Sequence, residues 1–333
     1  MSGPSAPSIQ TVRRFAAELG DLMRGRMAWP MLLLIGVALS ILLPPFLSLN
    51  NLLGILRQSS FVGIVAVGMS FAMIAGCFDL SVGAIVGVGE VLLLTAHPTD
   101  IGSTLLGVCS ALVVAALVGL ANGLAVGWLR ANSVVTTIGS AFVVLGLTLI
   151  YTNAQNVTVV SIYPALEFMS AGRLGVLPVP GILFLVAAII AQLGLSRTRY
   201  GRELYAAGGN PETAELSGVR IAKVRIIAYL ISALLAAVSG MLIACRVLSL
   251  NPPYGYGFEF DVLTAVMLGG MGLTGGRGSV VGTVAGALML GMIGNGMNLS
   301  GIAYELQLVV KGALLVGAVA LDERFRPAWQ SGQ

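Results

Sequence analysis

The chain has 333 residues, of which 57% are apolar and only 10% are charged, and its net charge is +4. A soluble domain is about 45–50% apolar and about 25% charged, so this composition excludes a protein that covers itself with polar surface in water. Apolar runs long enough to cross a bilayer recur along the chain. The sequence therefore predicts an all-α, polytopic membrane protein surrounded by lipid, with no nucleic acid as a partner.

The first strongly apolar segment begins near Ala28, after a polar arm at 1–27 that carries four arginines. No small-residue cleavage site follows that segment in the right place, which favours a retained, signal-anchor-like span over a removed signal peptide. A helix needs about 20 apolar residues to cross the hydrocarbon, and ten segments meet this requirement approximately. The predicted spans are 28–48, 53–75, 80–97, 104–129, 133–152, 179–195, 225–248, 260–274, 279–298 and 303–321.

The distribution of basic residues predicts the orientation, because cytoplasmic loops accumulate lysine and arginine. With the N-terminus inside, 14 of the 18 basic residues fall on the cytoplasmic side. The exceptions are Arg57, Arg173, Arg246 and Lys311. We therefore expect both termini in the cytoplasm. The predicted organisation is a cytoplasmic arm at 1–27, a transmembrane domain at 28–325 that includes a cytoplasmic loop at 196–224, and a tail at 326–333.

The sequence offers no catalytic constellation. Cys77, Cys109 and Cys245 lie singly inside apolar runs, which fits neither a disulfide framework nor a zinc pattern, and His97 is the only histidine. The stretch "GGMGLTGGRG" (269–278) lacks the Gly-Lys-Ser/Thr of a Walker A loop. We therefore expect that the protein is not an enzyme and that it has no catalytic residue, no metal and no cofactor.

The two halves of the chain share short motifs. "FDLSVGAIVGVG" (78–89) resembles "FDVLTAVMLGGMG" (260–272), and two further matches follow in the same order. With the predicted topology the halves are inverted, spans two to five against spans seven to ten, as in many transporters. Asp79 and Asp261 stand where a span should begin. Each is either an N-cap, whose negative charge is stabilised by the positive end of the helix dipole, or a group that touches cargo or gates the pathway.

One polar stretch interrupts the apolar chain, "GRELYAAGGNPETAELSGV" at 201–219. Asn210 is a favoured N-cap, Pro211 suits the first helical position, and Gly218 can adopt the left-handed conformation after the helix. The predicted helix has only two turns and is marginal in water by itself. It therefore indicates a surface on which a partner protein docks.

Three segments carry a resemblance to a known family. "GRELYAAGGNPETAELSGVRIAKVR", beginning at Gly201, resembles the cytoplasmic loop of the ribose-type permeases of bacterial ABC importers, which serve ribose, other monosaccharides and autoinducer-2. "GMSFAMIAGCFDLSVG" (68–83) is similar to that family's second-span signature, and "LGGMGLTGGRGSVVGTVAGAL" (268–288) to a segment near its C-terminal end. The resemblance extends from about residue 30 to 325. Phe78 departs from the family, which usually has Ile or Met before the aspartate.

The resemblance implies the fold of a type II-like ABC importer permease in the bacterial inner membrane. It implies a second permease copy or a paralogue, ABC ATPase subunits beneath that hydrolyse the ATP, and a periplasmic sugar-binding protein above. It also implies a coupling helix that docks on the ATPase. Its residues would be Gly209, Asn210, Pro211, Glu212, Thr213, Ala214, Glu215 and Leu216.

A sugar is neutral and rich in hydroxyls, so its path needs hydrogen-bonding groups within the spans. Our candidates are Asn122, Thr136, Thr137, Tyr151, Asn295 and Asn298. Some of them could instead bond to neighbouring helices. Glu90, Glu305 and Lys311 support an alternative, an ion-coupled secondary transporter of a small polar solute, although they form no chain of carboxylates.

Overall fold

The computed structural model describes residues 28–324, so the predicted arm at 1–27 and tail at 326–333 lie outside the described residues. The described chain forms helices joined by short connections, with four two-residue strands. The helices are α1 (Ala28–Leu42), α2 (Leu49–Ile74), α3 (Val82–Thr95), α4 (Ile101–Gly127), α5 (Ser133–Thr152), α6 (Pro164–Ala171), α7 (Val179–Arg197), α8 (Arg199–Gly209), α9 (Pro211–Leu216), α10 (Ile221–Val247), α11 (Phe258–Leu268), α12 (Val280–Leu299) and α13 (Tyr304–Arg324). The strands are β1 (Val157–Thr158), β2 (Arg173–Leu174), β3 (Leu177–Pro178) and β4 (Ser249–Leu250).

Each of the ten predicted segments overlaps one helix, namely α1 to α5, α7 and α10 to α13. Six of the described helices, α2, α4, α5, α7, α10 and α12, are long and apolar enough to cross a membrane. Two predicted spans extend too far. α1 ends at Leu42 because two prolines follow at 44 and 45, and α11 ends at Leu268, before Gly269 and Gly270, the latter with a φ of 81°.

The segment 196–224, predicted as a loop with one short helix, contains more helix than expected. α7 continues to Arg197, and α8 follows almost at once and ends at Gly209. α8 buries Leu204 and Ala207 on one face, so tertiary contacts stabilise a helix whose charged residues suggest a loop.

Helices α2 and α10 form the centre of the molecule. α10 packs across α3 and α4, whereas α2 packs across α11 and α12, and the two central helices contact each other. α3 contacts α4 and α5, as α11 contacts α12 and α13. The contact pattern of the first half is therefore repeated in the second half. In an apolar stretch of 18 residues, 61% of the residues of α2 are buried, against 17% of those of α5, which lies at the periphery.

Glycines allow the close approach of the two helices α11 and α12. A Cβ on Gly286 would lie 1.9 Å from the carbonyl oxygen of Ala265, and one on Gly282 would lie 2.2 Å from that of Gly269. Small residues at such positions let helix backbones approach closely, and this packing drives association in lipid.

The short strands join the connections at the end of the bundle where α10 ends. β1 pairs with β4 in antiparallel register, Val157 opposite Leu250 and Thr158 opposite Ser249. β2 and β3 form a small hairpin before α7. The β1–β4 pairing holds the connection that follows α5 against the connection that follows α10.

Candidate functional site

The six-residue helix α9 has both of its ends satisfied. The Asn210 side chain accepts a hydrogen bond from the Thr213 backbone N–H at 2.9 Å, and Pro211 occupies the first helical position. Gly218, with a φ of 87°, donates its N–H to the Glu215 carbonyl, and the next residue donates to the Ala214 carbonyl, both at 3.0 Å. This is a Schellman motif. The predicted N-cap, first position and left-handed glycine are all confirmed.

α9 is held on the protein by one face and open on the other. Ala214 is buried, whereas Leu216 is 91% exposed. The Arg130 guanidinium, from the connection between α4 and α5, donates to both carboxylate oxygens of Glu215, at 3.1 and 3.2 Å. A short helix with an exposed leucine and charged neighbours is suited to bind a complementary groove in another protein.

Close backbone contacts connect α8 to the interior of the bundle. A Cβ on Gly208 would lie 1.8 Å from the Ile74 carbonyl oxygen, at the end of α2. The same oxygen accepts the Gly276 backbone N–H at 2.8 Å. The end of α2, the end of α8 and the connection between α11 and α12 therefore meet at a single carbonyl, with no side chain between them.

Two tyrosines fix α8 on its neighbours. The Tyr200 hydroxyl donates to the Val224 carbonyl at 3.1 Å, and the Tyr205 hydroxyl donates to the Gly278 carbonyl at 2.8 Å. Burial disfavours the phenolate form and raises the pKa of both tyrosines, so both remain hydrogen-bond donors. Displacement of α8 would thus be transmitted to α10 and to the connection before α12.

Asp79 is buried in a hydrogen-bonded network before α3, and it is not the residue that caps the helix. Ser81 is the N-cap of α3, and its hydroxyl and N–H both donate to the Asp79 carboxylate, at 2.5 and 3.2 Å. The Asn122 amide donates to the Ser81 hydroxyl at 2.9 Å.

Side chains of α10 and α5 provide hydrogen-bond partners for the backbone of the non-helical segment before α3. The Tyr229 hydroxyl donates to the Phe78 carbonyl at 2.8 Å, and the Thr137 hydroxyl accepts the Leu80 N–H at 3.1 Å. Irregular backbone inside a membrane protein requires such partners.

Asp261 is also not an N-cap, since Gly257 occupies that position of α11 and Asp261 lies in the first turn. Its carboxylate accepts a hydrogen bond from the Lys311 ammonium of α13 at 2.7 Å. Both side chains are about one-quarter exposed, 24% and 26%. The capping interpretation is thus wrong in position for both aspartates, and a gating role remains a prediction.

The six pathway candidates lie at several places. Asn122 and Thr137 are buried and bond to the segment before α3. Asn295 is half-buried and exchanges two amide hydrogen bonds with Asn51, at 2.9 and 2.8 Å. Tyr151 is exposed and donates to Thr95 at 3.3 Å, Asn298 is exposed and accepts from Gln307 at 2.9 Å, and Thr136 is half-buried. The candidates do not converge on one surface, and their roles remain predictions.

The groups behind the ion-coupled alternative do not form a relay in the described part of the chain. Lys311 pairs with Asp261, Glu305 is exposed, and Glu90 is buried in α3 with no hydrogen-bond partner among the described residues. A proton pathway needs successive groups within hydrogen-bonding reach, which these three do not provide.

Sequence reasoning missed several residues of this site. It did not identify Gly208 or Gly276, whose contacts join segments far apart in the chain, or Arg130 as the partner of Glu215. The close spacing of glycines at 269–278 was a usable signal for a turn-rich connection that approaches other backbones. Nothing in the sequence around Arg130 indicates that it pairs with Glu215, which lies 85 residues away.

The long apolar helices define a multi-pass membrane protein, which also carries the small, polar helix pair α8–α9. Comparison with known proteins gives the family. Residues 51–319 match the family described as branched-chain amino acid transport system / permease component. The chain is 35% identical to the ribose import permease protein RbsC of Bacillus subtilis (strain 168), over 88% of this chain and 91% of that protein.

Two further relatives come from Escherichia coli (strain K12). Its ribose import permease protein RbsC is 36% identical over 91% of this chain and 94% of its own length, and its D-allose transport system permease protein AlsC is 32% identical over 83% and 84%. No solved structure matches the chain significantly. The chain therefore belongs to the family of ribose-type ABC importer permeases, multi-pass proteins of the bacterial inner membrane.

Proposed function

We propose that this protein is the membrane-spanning subunit of an ATP-driven importer for a monosaccharide. The observation that carries the proposal is similarity over almost the whole chain to permeases named for ribose import and for D-allose and L-arabinose transport. Three aldoses among the relatives favour a monosaccharide of this class as the cargo. ATP hydrolysis belongs to a partner ATPase, and a periplasmic binding protein delivers the sugar.

We infer that the residues at 209–216 form the coupling element that binds the ATPase. The capped ends of α9, the exposed Leu216 and the exposed Glu212 support this role. The helix is too short to be stable alone, and its ion pair with Arg130 leaves the outward face free.

The contacts of α8 suggest how docking at α9 is transmitted. Asn210 is both the C-cap of α8 and the N-cap of α9, so the two helices move together. Movement of α8 acts through Gly208 on the end of α2 and through Gly276 on the connection before α12. ATP can drive alternating access only if the ATPase binds the two positions of the α8–α9 pair with different affinity.

We further propose ten spans, cytoplasmic termini and two inverted halves. The Asp79 network contacts α10 at Tyr229, near the N-terminal end of that helix. Asp261 instead lines a cavity beside Arg246 and Val247, at the C-terminal end of α10. Equivalent residues of the two halves thus lie toward opposite ends of one central helix, as inversion requires.

A second permease copy, or a paralogue, would cover the peripheral apolar helices. α5 is the least buried of the helices long enough to span, and its exposed side chains include Phe142 and Leu147. α13 exposes Leu306 and Val309. These faces are available to a partner permease and to lipid.

The test is ATPase activity in proteoliposomes that hold this chain, its ATPase and its binding protein. We expect Glu212→Arg with Glu215→Arg to abolish stimulation by the loaded binding protein while dimerisation and folding survive. Arg202→Glu is the control, since it reverses an exposed charge on α8 outside the coupling helix. Unchanged stimulation in the double variant would show that α9 is only a solvated segment.

A further inference from the structure

The four basic residues that break the orientation pattern come together in the fold. Arg57 of α2 and Arg246 of α10 line one cavity of about 510 Å³, enclosed by α2, α10, α11 and α12. Lys311 pairs with Asp261, which lines the same cavity, and Arg173 lies within electrostatic range of Arg57. Basic residues are depleted on the outer side of inner-membrane proteins, so two that line one cavity, with two more beside its lining residues, indicate a local function.

Neither arginine has a structural partner in the part of the chain that the structure describes. Within residues 28–324, no carboxylate forms an ion pair with Arg57 or Arg246, and neither guanidinium donates a side-chain hydrogen bond. Each guanidinium presents five N–H donors in a planar fork. The two forks therefore remain available to a ligand in the cavity.

The rest of the wall supplies acceptors and apolar faces. Asp261 contributes a carboxylate, and Gln58 and Asn295 contribute amides that both donate and accept. Phe61 and Phe258 provide apolar surface beside these polar groups. The volume lies within the range of about 300–1,000 Å³ that is typical of small-molecule sites, which combine apolar walls with a few placed polar groups.

These features favour a polyhydroxylated ligand over an anion. A hydroxyl both donates and accepts, so a sugar can bond to the arginine donors and to the Asp261 carboxylate at the same time. Lys311 contacts only Oδ2 of Asp261, so the other carboxylate oxygen can accept a hydrogen bond from a sugar hydroxyl. A carboxylate ligand would be attracted by Arg57 and Arg246 but has no O–H to donate to that oxygen. Water can continue to solvate the excess positive charge, because Arg246 and Gln58 are exposed.

We propose that this cavity is a binding site of the permease itself for a neutral monosaccharide, with the Arg57 and Arg246 forks and the Asp261 carboxylate recognising hydroxyls. The identity of the ligand rests on the proposed import of a monosaccharide. The site would hold the sugar in transit at the end of the bundle where α10 ends, and it would add selectivity to that of the binding protein.

The test is protection of an engineered thiol on the purified full-length permease in proteoliposomes. In a background with the three native cysteines replaced, Gln58→Cys places a thiol on the exposed wall of the cavity. Gln155→Cys is the matched control, because Gln155 is also exposed but does not line the cavity. We expect D-ribose to slow alkylation at position 58 by a charged thiol reagent and to leave position 155 unaffected.

Substitution of Arg246 identifies what holds the sugar. We expect Arg246→Gln to raise the ribose concentration for half-protection about tenfold, as for loss of one charged hydrogen-bonding group. Arg246→Lys keeps the charge but loses the fork, so we expect intermediate protection. Unchanged alkylation of position 155 in each variant verifies the fold.

Two results would overturn the proposal. Protection by ribose 5-phosphate but not by ribose would make the cavity an anion site, and protection by neither would show that it binds no sugar. Protection requires no ATPase and no binding protein. A failure of ATP-driven import with protection intact would therefore count against the proposed function alone, and import without protection would count against this site alone.

Discussion

Arg130 and Glu215, 85 residues apart in the chain, form a two-oxygen ion pair that joins the connection after α4 to the short helix α9. Both side chains are largely exposed, 75% and 57%. An exposed pair contributes about 0–1 kcal/mol to stability, so its significance lies in orientation. It fixes the orientation of α9, on which Leu216 is exposed.

Reversing the charge of one member of this pair should impair coupling to the ATPase, and reversing both charges should restore it. We expect Arg130→Glu to lower ATP-driven uptake about two- to fivefold, equivalent to about 0.4–1 kcal/mol, with little change in thermal unfolding. The double variant Arg130→Glu with Glu215→Arg should recover uptake in proteoliposomes. A double variant as poor as the worse single one would instead mean that Glu215 itself contacts the ATPase.

Two adjacent glycines at the end of α8 offer a matched comparison. A Cβ on Gly208 would lie 1.8 Å from the Ile74 carbonyl oxygen, whereas nothing lies within 4 Å of one on Gly209. We expect Gly208→Ala to destabilise the protein by about 1–3 kcal/mol through overpacking against backbone, and Gly209→Ala to be neutral. Thermal unfolding in detergent measures both. Equal melting temperatures for the two variants would contradict the contact.

The ion pair between Lys311 and Asp261 should show strong coupling in a double-mutant cycle. Lys311→Met leaves a partly buried carboxylate without its donor, and we expect a loss of about 1–3 kcal/mol. Adding Asp261→Asn should recover most of that loss, because the uncompensated charge is gone. Additive losses in thermal unfolding would show that the two groups are independent. Uptake by the double variant tests whether Asp261 also gates the pathway.

Glu90 distinguishes the importer from the ion-coupled alternative. A buried carboxylate without a partner is costly, so we expect Glu90→Gln to leave the melting temperature unchanged or raise it. ATP-driven uptake should persist in this variant if import depends on the ATPase. Loss of uptake, together with uptake by the unmodified chain in response to a proton gradient without ATP, would favour the secondary transporter.

Much of the fold and part of the site could be predicted from the sequence. The apolar segments predicted a helix at all ten positions, because length and composition suffice to recognise such segments. The caps of α9 were also predictable, since Asn210, Pro211 and Gly218 act within a few residues of chain. The ends of α1 and α11 were less well predicted, because proline and glycine stop a helix within an apolar run.

Contacts between distant segments came only from the tertiary structure. α8 is a helix because its Leu204 face packs on the bundle, and polar composition alone suggested a loop. Asp79 resembled a cap in sequence, yet Ser81 takes that position and the carboxylate serves the buried network.

The sequence by itself determined the membrane class, the helix positions and the caps of α9, because these depend on hydrophobicity and on hydrogen bonds between neighbours in the chain. Only the tertiary structure decided which charges meet. It placed Arg57 beside Arg246 in one cavity and Lys311 on Asp261, since helix packing brings together residues whose separation in sequence carries no signal.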